Sequence, residues 1–444
     1  MESRIETFSY PDGTVQRVQL VRPGSWSELE FLEPPFAEDS LERFSPIYER
    51  FLVPACPWLF GHMVLFRLPE ELEAGMTYRS RRYGELKDPL TAAAAVLRQG
   101  LRLRASAPRF RTEAAERLWK ALQERGAVRV VSGRLPVTTV IPVSRRSGYL
   151  SRCHQEAALK VNASFFIMDR FDCATVYDQV GTPFGLRVKD GTVLDPPLYD
   201  REALLVGKDG SVEVRPVRLE ELQIRIGERT FTPGVDADIF TRPRRVLAPG
   251  GRQIVIVGRR VAAVVEGHAR IPASGFVLRP RGDFAAEAGD PVTYLGMEAV
   301  AFGIQVGNSI VKKGEKTERF LSRFYNIRRL EPVPYPPSLY PMDFRAARAA
   351  RIAIGADREG KPMLLWAEGA GKLGYVPGRD SRGASLSDMA DICAELGMVD
   401  AVNLDGGGSA QLLLRDRRSL RISDRKGEDA SEAERPVPMG LIVR

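Results

Sequence analysis
The sequence predicts an α+β fold: strand-rich mixed β-sheets flanked by a few helices, with a smaller accessory region toward the N-terminus. Three observations carry that prediction. From Ala127 onward, short β-branched runs beginning with VRVVSGRLPVTTVIPV are broken by Gly, Pro and Asp at the spacing of turns. Helical periodicity is confined to a few segments, of which Ser385–Leu396 is the clearest. With 444 residues, 44% of them hydrophobic and 27% charged, the chain can close a core without disulfide or metal staples. That composition excludes a small stapled scaffold and wholesale disorder.

Residues 1–126 mix proline-punctuated segments (RPGSW, LEPPF, VPACPW) with helical patterns over Leu90–Leu103 and Thr112–Arg125. They read as an accessory region of unknown role, and the main domain reads as residues 127–444. Its candidate strands are Leu159–Phe166, Gly185–Val188, Ala203–Val206, Ser211–Val214, Arg252–Val257, Val261–Glu266, Phe276–Leu278, Val300–Gly303, Ile352–Gly355, Pro362–Ala367, Val399–Asp405 and Ala410–Arg415. In the helix, Ser385 caps the opening amides, Asp388 completes an S-x-x-D capping box, and Gly397 ends the run. Leu386, Met389, Ile392, Cys393 and Leu396 share one stripe, so that face packs on a sheet and Cys393 is a core residue. The segment YPPSLYP, Tyr335–Pro341, reads as a linker loop or surface crossing.

Subtracting 57 acidic from 65 basic residues leaves +8, spread through mixed-sign stretches rather than gathered in a basic tail. Nucleic acid is therefore not the expected partner, and an anionic small substrate fits the charge equally well. Cys56, Cys153, Cys173 and Cys393 form no C-x-x-C pair, and His62, His154 and His268 stand far apart. No zinc ribbon, redox motif or His-rich metal site follows from them, and no metal or cofactor is expected. The polar start MESRIETFSYPDGTVQ lacks an apolar leader core, and no apolar run reaches membrane-span length. Cytoplasmic residence without a membrane span is the expectation, and the oligomeric state is not legible.

The chemistry concentrates in Val399–Leu414, VDAVNLDGGGSAQLLL, where an apolar run ends on Asp405 and three glycines precede Ser409. Consecutive glycines cost ordering entropy and are retained where the backbone takes positive φ or approaches a ligand closely. Backbone amides there can cradle an oxyanion or phosphate. A plain flexible hairpin is the bland alternative, but it would need neither a fixed carboxylate nor a hydroxyl donor at its mouth.

NLDGGGS at Asn403–Ser409 resembles the strongest motif of the phosphodiester glycosidases. The resemblance extends through ERPVPMGLIV at Glu434–Val443, GRDSRGASLSDMADICAELGMVDA, ARIAIG at Ala350–Gly355 and LLWAEG at Leu364–Gly369, where Glu368 stands in place of an aspartate. VNASFF at Val161–Phe166, with Ala163 and Ser164 replacing glycines, GTPFGL, KDGTV, IPASGFVLRPRGD and FGIQVGNSIVKKGE are similar to further family segments. The resemblance covers about residues 127–444 and implies hydrolysis of the bond between a sugar anomeric carbon and a phosphodiester oxygen.

Within that resemblance, Asp405 and Glu368 are the carboxylates for an oxocarbenium-like transition state. Arg351 first, and Arg435 second, would stabilise the leaving phosphate. Asn162 would bond a sugar hydroxyl, while Ser409 and the amides of Gly406, Gly407 and Gly408 would hold the phosphate. Each has a structural competitor: an Arg351–Glu368 pair between neighbouring strands, Asn162 bonded to turn backbone, and Arg435 as a solvated edge residue. Phe165 and Phe166 read as core. The implied substrate is a sugar phosphodiester or a polysaccharide with a related linkage. The alternatives are a non-catalytic sugar-phosphate or polysaccharide-binding module and, motivated only by positive charge, a nucleic-acid scaffold.

Overall fold
The computed structural model describes residues 1–34, 62–66, 101–104, 107–124, 128–132, 140–142, 148–166, 183, 185–197, 202–241, 247–248, 250–272, 275–318, 347–370, 376–378, 380–423, 425–426, 431–432 and 434–444. Among them, strands dominate and two α-helices occur, Glu113–Glu124 and Leu386–Glu395. The expected strand-rich architecture is present, with few helices beside it. Pairing is antiparallel almost throughout; the sheet containing His62–Phe66 is mixed, with Val140–Pro142 parallel to that strand.

The sheet that positions the site has seven strands in the order Glu2–Ser9, Val15–Arg22, Pro362–Ala367, Arg351–Ala356, Asp400–Asn403, Ser309–Lys312, Glu315–Lys316. Its central strands are buried on both faces, and side-chain alternation sorts them. Ile352, Ile354, Leu364 and Trp366 join one core cluster, whereas Ala353, Met363 and Leu365 join another. The first cluster is shared with a four-stranded sheet ordered Leu412–Leu414, Leu159–Asn162, Gly440–Val443, Glu30–Leu32. The second cluster receives Met389, Ile392 and Cys393 from the helix Leu386–Glu395, so the predicted apolar stripe does pack on a sheet. Burial pushes the Cys393 thiol far above its ordinary value, in keeping with a core role.

Strands between residues 187 and 304 build a further region around its own core, in which Ile224, Phe231, Ile254, Phe276 and Tyr294 are buried. Most predicted strands recur with ends shifted by a residue or two, and Arg252–Val257 and Pro362–Ala367 recur with the same bounds. The helix expected over Leu90–Leu103 is overturned at its end. Leu101–Arg104 is a strand paired with Ala107–Phe110, because Leu and Arg alternate there with period two. Residues 90–100 and the Tyr335–Pro341 loop lie outside the described residues.

The accessory region is not set apart from the main domain at its start. Val15–Arg22 pairs with Pro362–Ala367 and Glu30–Leu32 pairs with Gly440–Val443, while His62–Phe66 pairs with Val128–Ser132 across the expected 126/127 boundary. The turn between the first two strands has its own chemistry: Asp12 Oδ1 accepts from Thr14 N at 3.0 Å and from Thr14 Oγ1 at 2.6 Å.

The capping box forms as expected. Ser385 Oγ accepts from Asp388 N at 3.1 Å and Asp388 Oδ2 accepts from Ser385 N at 2.8 Å. Ser385→Ala is therefore expected to cost about 1 kcal/mol, read as a lower urea midpoint with unchanged slope.

Candidate active site
The strand Asp400–Asn403 delivers the glycine tract to the point where both sheets end. Asp405 lies two residues past the strand, half-buried, with its N–H donating to Ala163 O at 2.8 Å. The tract then folds down onto Ala350. A Cβ on Gly406 would stand 2.7 Å from Ala350 O, and Gly407, at φ +59°, donates its N–H to the same oxygen at 2.7 Å. A short 3-10 turn over Gly407–Ser409 closes the bend. Glycine is required at Gly406 by this close approach and favoured at Gly407 by its left-handed backbone. The Gly407 amide is thereby committed to protein, a correction to its expected role on phosphate.

Asn162 holds both shoulders of this bend. It ends the strand Leu159–Asn162, is 1% exposed, donates from Nδ2 to Asp405 O at 2.8 Å and accepts at Oδ1 from Gln411 N at 2.9 Å. The bond to loop backbone is thus the observed one, and the side chain acts as a clamp that fixes where Asp405 stands. Phe165 and Phe166 are buried, as expected of core residues.

Two arginine side chains run beside the tract. Arg351 opens the strand Arg351–Ala356 and is almost fully buried; its Nε donates to Ala384 O at 3.1 Å and its Nη2 to Ala347 O at 2.9 Å. Its Cδ lies 3.5 Å from where a Gly406 Cβ would be. On the other side Arg435 Nη1 donates to Ser409 Oγ at 3.3 Å, while Arg435 O accepts from Gln411 Nε2 at 2.8 Å. Arg435 is half-buried against the bend, not a solvated edge residue. An aspartate and two arginine side chains therefore stand at one glycine bend.

Glu368 departs from expectation. It is 0% exposed, and its Oε2 accepts from Arg17 Nε and Nη2 at 2.7 Å each and from Ser381 Oγ at 2.5 Å. Its Oε1 accepts from Arg421 N at 2.9 Å. The anticipated Arg351–Glu368 pair gives way to an Arg17–Glu368 pair, for a reason visible in the register. Arg351 stands opposite Ala367, whereas Val18 stands opposite Ala367 from the other neighbouring strand, which brings Arg17 alongside Glu368. With both oxygens engaged and sealed from solvent, this carboxylate organises its surroundings and does not face a substrate. Arg17 was missed because residues 1–126 were read as accessory; the turn signal YPDGT followed by the β-rich VQRVQLVR was available to find it.

Among the described residues, no group of three His, Cys, Asp or Glu side chains is placed to hold a metal ion, and no helix is long and apolar enough to cross a membrane. A family model described as "Phosphodiester glycosidase" matches residues 229–444, the stretch that carries the glycine tract, Arg351, Glu368 and Arg435. Residues 229–444 thus match the phosphodiester glycosidase family. The upstream part of the resemblance, from residue 127 to 228, lies outside that match. N-acetylglucosamine-1-phosphodiester alpha-N-acetylglucosaminidase from Mus musculus is 35% identical over 95 residues, which is 21% of this chain and 17% of that protein. The Bos taurus protein of the same name is 39% identical over 95 residues, 21% of this chain and 16% of that protein. The aligned stretch thus spans about a sixth of these relatives' length. A hypothetical protein from Synechocystis aligns over 99% of this chain and 61% of its own at 16% identity and a TM-score of 0.44. The zebrafish N-acetylglucosamine-1-phosphodiester alpha-N-acetylglucosaminidase catalytic domain aligns over 100% and 82% at 12% identity and a TM-score of 0.37. Within the phosphodiester glycosidase stretch lie the carboxylate and both guanidinium groups; Asn162 and Arg17 are supplied from upstream of it.

Proposed function
We propose that this protein hydrolyses the glycosidic bond between a sugar and a phosphodiester, or a related linkage in a polysaccharide, at the bend formed by residues 405–409. The observation that supports this reading is the Asn162 clamp, which fixes a half-buried aspartate beside a glycine bend flanked by Arg351 and Arg435. Asp405 supplies the negative charge that stabilises an oxocarbenium-like transition state. As the bond to the phosphate oxygen breaks, negative charge grows on the leaving group. Guanidinium groups at Arg351 and Arg435 favour that state over the ground state, so their contribution enters the rate. A phosphate is a good leaving group and needs less proton donation than an alcohol, which is compatible with Glu368 being withdrawn from the site.

The test is direct. The protein is incubated with a panel of sugar-1-phosphodiesters, and reducing sugar and phosphomonoester are measured together; release in equal amounts supports the reading. Saturable binding without release of either product points instead to a binding module, the reading motivated by Ala163, Ser164 and Glu368 standing where the family pattern differs. Arg351→Lys separates the roles further. An ammonium cannot reproduce the two-pronged contact, so kcat/KM on charged phosphodiesters is expected to fall about 10- to 100-fold, with a smaller loss on neutral aryl glycosides. Equal losses on both substrate classes would remove the phosphate role from Arg351.

A further inference from the structure
Residues 1–22 lie outside the stretch that matches the family, yet their second strand meets the surroundings of the site at several points. Arg17 places two nitrogens on Glu368 Oε2, and its N–H donates to Ser381 Oγ at 3.0 Å. Val15 O accepts from Arg382 N at 2.9 Å, and the Arg382 guanidinium lies over the ring of Tyr10 in the preceding turn.

Two routes lead from this hairpin to Arg351. The first runs through Glu368 to Gly369, which packs so closely on the backbone that a Cβ there would be 2.4 Å from Ala350 N. Ala350 is the residue before Arg351, and its carbonyl oxygen is the one that receives the Gly407 amide. The second runs through residues 381–384. Ala384 exchanges hydrogen bonds with Ala349 in both directions, at 3.2 and 2.8 Å, and Ala384 O receives Arg351 Nε. An arginine that grips phosphate must have its planar fork aimed in advance, since misplacement by about 1 Å costs roughly two orders of magnitude in rate.

We infer that the N-terminal hairpin belongs to the frame of the active site, with Arg17 a positioning residue. Acting through Glu368 and residues 381–384, Arg17 aims the Arg351 guanidinium at the substrate's anion. The inference rests on the phosphodiester glycosidase reading of the site given above. It adds to that reading a requirement for residues upstream of the glycosidase stretch.

The experiment compares wild type with Arg17→Gln, Arg17→Lys and the double variant Arg17→Gln/Glu368→Gln, each checked for folding by circular dichroism. One measurement needs no turnover: solvent exchange of the Arg351 Nε–H by 15N NMR, its signal assigned from its absence in Arg351→Lys. Exchange is expected to be at least tenfold faster in Arg17→Gln and within threefold of wild type in Arg17→Lys, which keeps a cation on Glu368. The second is kinetic. In Arg17→Gln, kcat for charged sugar phosphodiesters is expected to fall about tenfold while KM changes less than threefold and neutral aryl glycosides are unaffected. Should Arg17→Gln fail to fold, the double variant, which has no buried carboxylate left without a cation, is read in its place with the same expectations. Wild-type exchange in folded Arg17→Gln, or in the double variant read in its place, or equal kinetic loss on charged and neutral substrates, overturns the inference. Absence of turnover by the wild type rejects the proposed activity while the exchange measurement still decides the positioning role.

Discussion

Replacing Asp405 by Asn is expected to lower kcat/KM on sugar phosphodiesters by about 10³-fold, within the range by which positioned acid–base and charge-stabilising carboxylates accelerate such reactions. The substitution is well suited to isolating chemistry from structure. The hydrogen bonds that seat residue 405 in the Asn162 clamp and against Ala163 are main-chain bonds, its N–H to Ala163 O and its C=O from Asn162 Nδ2, and both survive the change. The bend should therefore keep its shape, the thermal midpoint should stay within about 2 °C of wild type, and inorganic phosphate should still bind near Arg435 and Arg351. A variant that retains the wild-type rate would take Asp405 out of the mechanism altogether.

The largest stability effect is expected at Asp416. Lys160 is 0% exposed within the Leu159–Asn162 strand, where its ammonium is held by Asp416 Oδ1 and by Cys153 O at 2.6 Å. Asp416→Ala leaves a fully buried cation with one carbonyl for company, and stranding a buried charge costs about 3–5 kcal/mol. We expect the low end, about 3 kcal/mol, because Asp416 itself is 28% exposed. The substituted residue must also occupy a left-handed backbone, φ +64°, which aspartate tolerates better than alanine. Lys160→Met should cost less, since the carboxylate it leaves behind reaches water. Urea unfolding of both single variants and the double variant measures the order; a Lys160→Met cost exceeding that of Asp416→Ala would contradict this account.

How much of this was legible beforehand depended on whether a feature is local in sequence. The helix Leu386–Glu395, its capping box and its buried stripe are set by residues three and four apart, and they stand where the periodicity put them. NLDGGGS also announces itself, because three glycines between a carboxylate and a hydroxyl have few structural uses. Partner choice was not legible. Glu368 follows a strand with two neighbours, and periodicity says nothing about which of them brings the cation; the cation came from the hairpin at the chain's start. Asn162 illustrates the same limit. An asparagine at a strand end can face a ligand or a turn, and only the tertiary path of residues 405–411 decides between them.

The strand Gly440–Val443 lies between Leu159–Asn162 and Glu30–Leu32, so segments from the beginning, middle and last part of the sequence meet as neighbours. Contacts this distant in sequence are slow to form, because chain entropy must be lost before any of them is rewarded. A polypeptide still leaving the ribosome at Arg421 carries the acidic side chain and the glycines but lacks the rail against which Asn162 leans. The bend at residues 405–409 is therefore expected to take its final shape late in folding, once the Gly440–Val443 strand is in place beside Asn162.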